Sequence, residues 1–138
     1  MPYINTAPSL EEAVIDSIKE HRRNVGRRFY SEHGTDRVTA GQLTNVGGAT
    51  VEVLALVKFA KKVRYGQDDE RTVQAGASAK CHGWGCVEPS SDESFGTEFD
   101  LDADVYEVAA TAEPFVQAAR EWAQAHAEKC RAQPHTGR

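Results

Sequence analysis

Hydrophobic positions along the chain fall into five stretches whose periods predict different elements. Over residues 9–25, Leu10, Val14, Ile18 and Val25 recur on one helical face, Ser9 and Glu12 have the spacing of a capping box, and Gly26 offers a stop. Residues 27–48 show no clean period and are broken at His33-Gly34-Thr35-Asp36 and at Gly47-Gly48, so no element is assigned there. Val51 to Tyr65 fits two templates. Val53, Leu56, Val57, Ala60 and Val63 follow helical spacing, while Val51, Val53, Ala55, Val57 and Phe59 alternate as in a strand. The length, a capping Thr50, basic residues in the last turns and Gly66 beyond them favour the helix. Thr72 to Lys80 reads as a short strand, and Phe99, Leu101, Ala103 and Val105 alternate with Asp100, Asp102 and Asp104 as a second strand with one wet, acidic face. A final helix is expected from Thr111–Pro114 to about Cys130, with Pro134 barring its continuation.

The expected fold is α+β: amino-terminal helices followed by a zinc-finger-like β-knuckle packed on a carboxy-terminal helix. Residues 1–72 form the helical amino-terminal region, 73–132 a ββα-like metal-binding region, and 133–138 a frayed tail. With 138 residues, 40% of them hydrophobic and 27% charged, the chain can bury a modest core without cross-links. The longest apolar stretch, Val51 to Ala60, is interrupted by Glu52 and Lys58, which excludes a membrane span of the usual length. The first residues lack a basic start followed by an apolar run, so the expected location is cytoplasmic, where thiols stay reduced.

The formal charge of −5 hides an asymmetry. Residues 1–72 carry eleven Lys or Arg against ten Asp or Glu, whereas residues 73–138 carry five against eleven. Arg22, Arg23, Arg27 and Arg28, with Lys19, make one basic cluster, and Lys58, Lys61, Lys62 and Arg64 make another. Cations at a helix end complement its dipole, which is the structural reading of the first cluster; phosphate contact is the functional one. Between Glu88 and Glu107 lie eight acids and no Lys or Arg.

The chemistry-bearing residues concentrate at the two ends of the last region. Phe115, Ala119, Trp122, His126 and Cys130 succeed one another at three- or four-residue intervals, so His126 and Cys130 stand one turn apart on a shared helix face. Cys81-His82-Gly83-Trp84-Gly85-Cys86 is a Cys-x4-Cys knuckle whose glycines permit a sharp turn. Three sulfurs and one imidazole suit zinc, and four protein ligands close the tetrahedron, which marks a structural site. The expected ligands are therefore Cys81, Cys86, His126 and Cys130, shielded by Trp84 and Trp122, with His82 as a rival for one cysteine's place. The competing readings are a Cys81–Cys86 disulfide, free thiols, and His126 and Cys130 as ordinary occupants of a helix face.

A cysteine knuckle followed by an alanine-rich helix ending Ala125-His126-Ala127-Glu128-Lys129-Cys130-Arg131-Ala132 resembles the small zinc-finger-like proteins of high-GC Gram-positive bacteria and their mobile elements. The resemblance spans about residues 78–132; the familiar knuckle has two residues between cysteines where this one has four. The group has no uniform activity, so the resemblance implies a metal site and nothing more.

Elsewhere the chemical signals fail. Asp100, Asp102 and Asp104 lack the glycine and the closing Glu of a calcium loop, since Val105 and Thr111 hold those places. Phosphate-loop and dinucleotide fingerprints are absent from the sequence, and no residue can be named to orient a Cys-His catalytic pair. The expectation is a non-catalytic, zinc-stabilised binding module that docks a protein partner or a second copy of itself, with no membrane role. The alternative is nucleic-acid binding through Arg22, Arg23, Arg27, Arg28, Lys58, Lys61, Lys62 and Arg64.

Overall fold

The computed structural model describes residues 10–134, so Ser9 and its half of the capping box lie outside the described residues. Helix α1 (Leu10–Asn24) is followed by three long strands, β1 (Gly34–Thr44), β2 (Thr50–Lys62) and β3 (Glu70–Cys81). Two-residue strands β4 (Ser94–Phe95) and β5 (Phe99–Asp100), a short helix α2 (Val105–Ala110) and the long helix α3 (Glu113–Lys129) complete the α+β chain.

The long strands form an antiparallel meander in the order β1-β2-β3, and β4 and β5 both pair with the outer edge of β3. The β2–β3 ladder is unbroken from Val51↔Cys81 to Lys62↔Glu70, whereas β1 slips at a bulge between Thr39 and Gly41. Val51, Val53, Ala55, Val57 and Phe59 on β2, and Val73, Ala75, Ala77, Ala79 and Cys81 on β3, alternate into one core. Against them pack Val14, Ile15 and Ile18 of α1, Val105 and Val108 of α2, and Val116, Ala119, Ala123 and Ala127 of α3. At roughly 25 cal/mol per Å² of apolar area, such valine-rich burial is the main favourable term in the fold.

Two expected elements are corrected. Residues 51–65 are not a second amino-terminal helix: β2 occupies 50–62, and the sheet runs without interruption through residue 72. The helical pattern arises because the outer face of β2 also carries apolar residues, Leu54, Leu56 and Ala60, of which Leu56 is buried. Leu56 points away from the helices yet is fully buried. It lies opposite Gly76, where a Cβ would collide with the Ser94 carbonyl of β4. Apolar residues on both faces of a strand blur the two-residue period. The second strand expected over 99–105 stops at Asp100. Ala103 N–H bonds the Asp100 carbonyl at 2.9 Å and the Asp104 carboxylate accepts Tyr106 N–H at 2.9 Å, so the acids turn the chain and cap α2.

Arg22 anchors this turn to α1. Its Nε and Nη2 donate to the carbonyls of Leu101 and Ala103 at 2.7 and 2.6 Å. Beyond α3 the chain continues extended; Trp84 N–H donates to the Gln133 carbonyl at 2.7 Å and Gly83 bridges Pro134. Gln133 and Pro134, the described part of the stretch expected to fray, are thus fastened to the knuckle.

Candidate metal centre

Cys81 is the last residue of β3, and strand alternation sends its side chain into the core beside α3. The same alternation sends His82 to the opposite face, where its Nε2 meets Glu52 Oε1 at 3.0 Å. His82 therefore stands apart from the sulfurs. Thr39 bonds the other oxygen of the Glu52 carboxylate. After His82 the chain turns through Gly85, at φ +73°, and Cys86 N–H reaches back to the Gly83 carbonyl. Cys86 is thereby returned to the level of Cys81.

From the other side, α3 carries His126 in its last turn. Cys130 caps that helix in an extended conformation, with its N–H still bonded to the His126 carbonyl at 2.8 Å. The fully buried stripe of α3 is Val116, Ala119, Ala123 and Ala127; Phe115, Trp122, His126 and Cys130 run beside it, half-buried. The Trp122 ring stacks on His126 at 4.6 Å with an interplanar angle of 8°, which fixes the imidazole plane.

The structure brings Cys81, Cys86, His126 and Cys130 together, with one ligand atom from each lying within 4.8 Å of all the others. Cys86 Sγ is 3.7 Å from Cys130 Sγ and 3.4 Å from His126 Nε2, and Cys81 Sγ is 4.0 Å from Cys130 Sγ. A tetrahedral zinc with its usual Zn–S and Zn–N bond lengths sets S···S near ~3.8 Å and S···N near ~3.6 Å. These three separations lie close to the edges of that polyhedron and the S···S ones are far longer than a disulfide bond, and all three cysteines are free thiols. The cluster is consistent with a closed, zinc-finger-like Cys3His site.

The Cys86 and Cys130 thiols are pushed in opposite directions. Burial pushes the Cys86 thiol up to about 11, with the neighbouring sulfurs adding to the effect. Cys130 moves down, chiefly because the backbone at Ala132 donates to it. A divalent cation would resolve this conflict by making every sulfur a ligand.

Around the four side chains lies a supporting layer that sequence spacing could not reveal. Asn45, buried in the β1–β2 turn, donates from Nδ2 to the Ala132 carbonyl at 2.9 Å and accepts Ala49 N–H on Oδ1 at 2.7 Å. Its Nδ2 also stands 3.9 Å from Cys81 Sγ. Gly83 N–H points to the same sulfur at 3.4 Å. Val46 N–H in that turn reaches the Ala127 carbonyl at 3.1 Å. The segment after Cys130 passes between two glycines that must be bare. A Cβ on Gly47 would overlap the carbonyl oxygens of Arg131 and Ala132, and one on Gly83 would lie 2.5 Å from the Ala132 Cβ. A turn asparagine and a glycine pair are visible in the sequence, but their target was not.

The basic residues divide sharply. Arg22 is spent on two carbonyls; Lys61 pairs with Glu32 at 3.1 Å and Asp69 at 3.5 Å, Lys62 with Glu98 at 3.3 Å, and Arg64 with Glu70 at 2.7 Å. Lys58 lies over the Phe95 ring. Among the described residues, Arg23, Arg27 and Arg28 project into solvent without an ion pair. Beside them Phe29 is 93% exposed in the left-handed region at φ +66°, with the Arg28 guanidinium 5.0 Å from its ring centre.

No family model, no curated protein and no solved structure matches this chain. The Cys3His cluster is the part of the zinc-finger-like resemblance that the geometry carries. No helix among the described residues is long and apolar enough to cross a membrane.

Proposed function

We propose that this protein is a non-catalytic binding module whose carboxy-terminal helix is clamped to its sheet by one zinc ion. The carrying observation is the spacing of the Cys81, Cys86, His126 and Cys130 ligand atoms, which fits a complete tetrahedron and leaves no position for a reacting water. Zinc then acts on stability, and function falls to surfaces elsewhere. Metal analysis of untagged protein, with Cys81→Ser and Cys130→Ser alongside, tests the clamp. One zinc per chain, lost together with thermal stability in both variants, is expected; metal-free native protein refutes it.

The docking surface we assign is the loop after α1, where Arg27, Arg28 and Phe29 are exposed together. A bulky residue held at positive φ costs roughly 1 kcal/mol, and a solvated phenyl ring returns nothing to the fold. An apolar anchor flanked by cations fits an acidic protein surface. Phe29→Ala and Arg27→Glu should abolish capture of the partner while leaving the melting temperature unchanged. The second reading, nucleic-acid binding, draws on the same triad, since a base can stack on Phe29 while Arg27 and Arg28 meet phosphates. It is weakened by the pairing of Lys61, Lys62 and Arg64 with acids. Titration with single-stranded and duplex oligonucleotides across salt separates the two: affinity falling steeply with salt supports nucleic acid, and no binding at low salt ends that reading.

A further inference from the structure

We propose that Cys86 and Cys130 are a peroxide-modifiable pair, closing to a disulfide that ejects the metal while Cys81 stays reduced. The inference rests on the zinc reading of the site and adds its regulation.

The three sulfurs are not equivalent. Cys86 and Cys130 are half-buried and line an open cavity of about 560 Å³ bounded by Trp84, Trp122 and Val87, so a small solute reaches both. Cys81 is 3% exposed and does not line that cavity. Its backbone is fixed in the ladder opposite Val51 and by its N–H to the Pro89 carbonyl, and its sulfur faces Gly83 N–H and Asn45. A disulfide requires the sulfurs to approach to about 2.05 Å. Cys86 and Cys130 start 3.7 Å apart, one on an irregular loop and the other at an extended helix cap, where modest backbone movement suffices. Cys81 starts farther away, 4.0 Å from Cys130, and with its backbone held in the ladder only Cys130 could move to close that gap, whereas both members of the Cys86–Cys130 pair can.

The chemistry balances with hydrogen peroxide as oxidant. One accessible sulfur attacks a peroxide oxygen, the O–O bond breaks, and a sulfenic acid forms as hydroxide leaves. The second sulfur displaces the sulfenic hydroxyl and the S–S bond closes. Two thiolates lose two electrons in total, and the peroxide takes them up with two protons to become two waters. Only Cys81 and His126 then remain as ligands, too few to hold the ion.

The test uses the full, zinc-loaded chain with equimolar peroxide and no added thiol, followed by a chromogenic zinc chelator, intact mass and fragment mapping after alkylation. About one zinc should be released per peroxide consumed, with a mass loss of two hydrogens, a Cys86–Cys130 bond and an alkylated Cys81. A dithiol reductant should restore zinc uptake. Metal retained with three reduced thiols, or a disulfide that includes Cys81, overturns the proposal. Protein purified without any metal would instead defeat the zinc reading. Peroxide treatment of that metal-free chain still decides the pairing, since a bond through Cys81 counts against the inference and one between Cys86 and Cys130 for it.

Discussion

Replacing Asn45 with alanine should destabilise the protein by about 2–4 kcal/mol, far more than a turn substitution ordinarily does. The side chain is 4% exposed and its amide can be oriented in one way only, with Nδ2 toward the Ala132 carbonyl and Oδ1 toward Ala49 N–H. Truncation leaves both partners without their bond, and Ala49, 1% exposed, has no water to replace it. An orphaned buried polar group costs roughly 1–3 kcal/mol; the Ala132 carbonyl, with a second lone pair, falls at the lower end. For a chain of this size the sum corresponds to a fall of roughly 10 °C in melting temperature. Asn45→Asp makes a sharper probe of the metal. It keeps the acceptor for Ala49 but sets a carboxylate against the Ala132 carbonyl and the Cys81 sulfur, so zinc affinity should drop ~10–100-fold, as for other outer-shell ligands. Urea melts of each variant, metal-stripped and zinc-loaded, separate the effects. A loss below ~0.5 kcal/mol for metal-stripped Asn45→Ala would refute the reasoning, because the two backbone bonds do not depend on metal.

Further outcomes follow from the same geometry. His21, stacked on Phe59 at 3.8 Å and bonded to Tyr30 at 2.7 Å, has its pKa lowered by burial, against the opposing pull of Asp36 and Glu32. The unfolded chain therefore binds the proton more readily, so stability is complete above about pH 6.5 and declines as pH falls toward the lower folded value. Urea melts of metal-stripped protein between pH 7.5 and 5.5 should record this slope, and His21→Phe should flatten it. Gly47→Ala should cost about 2–3 kcal/mol and weaken zinc binding, because the new methyl displaces the segment carrying Arg131 and Ala132; an unchanged melt would show that the turn yields freely. Phe29→Asn should leave stability unchanged or raise it by up to ~1 kcal/mol, since Asn tolerates the left-handed conformation. Chelating the metal should speed hydrogen exchange in residues 120–130 while amides of β2 and β3 keep their protection, and uniform loss across the sheet would contradict a local clamp.

The sequence was most legible where one period governs one face. Helix α1 spans 10–24 against an expected 9–25, β3 runs over 70–81 around the expected 72–80, and α3 starts at Glu113 as its proline implied. Legibility failed where neighbours decide the structure. β2 buries residues on both faces, so its alternation competes with an equally good helical pattern. β1 is largely exposed, bulged and short of apolar residues, and becomes a strand because β2 offers it a ladder. The four clustered side chains could be picked out by spacing because His126 lies in the last turn of α3 with Cys130 at its cap, and Cys81 and Cys86 bracket a tight loop. The separation of His82 from the sulfurs needed the knowledge that a strand ends at Cys81. The roles of Asn45 and Gly47 needed the path of residues 130–134, which no local pattern encodes.

The packing of α3 bears on why the proposed clamp would sit at this end of the helix. Near its start Val116 and Phe115 meet the core; beyond them the buried residues are Ala119, Ala123 and Ala127, with Trp122 half-buried beside them. A methyl group buries little apolar area, and at roughly 25 cal/mol per Å² an alanine stripe returns a fraction of what leucines would. The same small residues let the helix lie close to the sheet, where β3 likewise presents Ala75, Ala77 and Ala79. Close approach with little buried area leaves the carboxy-terminal turns held by Trp122 against the core, by the Val46 N–H on the Ala127 carbonyl and by the helix's own backbone bonds. His126 sits in the last turn and Cys130 at its extended cap, while Cys81 ends β3 and Cys86 follows in the loop beyond it. Enlarging the alanines would push the helix away from the strand that carries Cys81. Under the proposed function, a metal ion would instead supply strong bonds in a small volume, so that thin packing and the Cys3His cluster would be two parts of one solution.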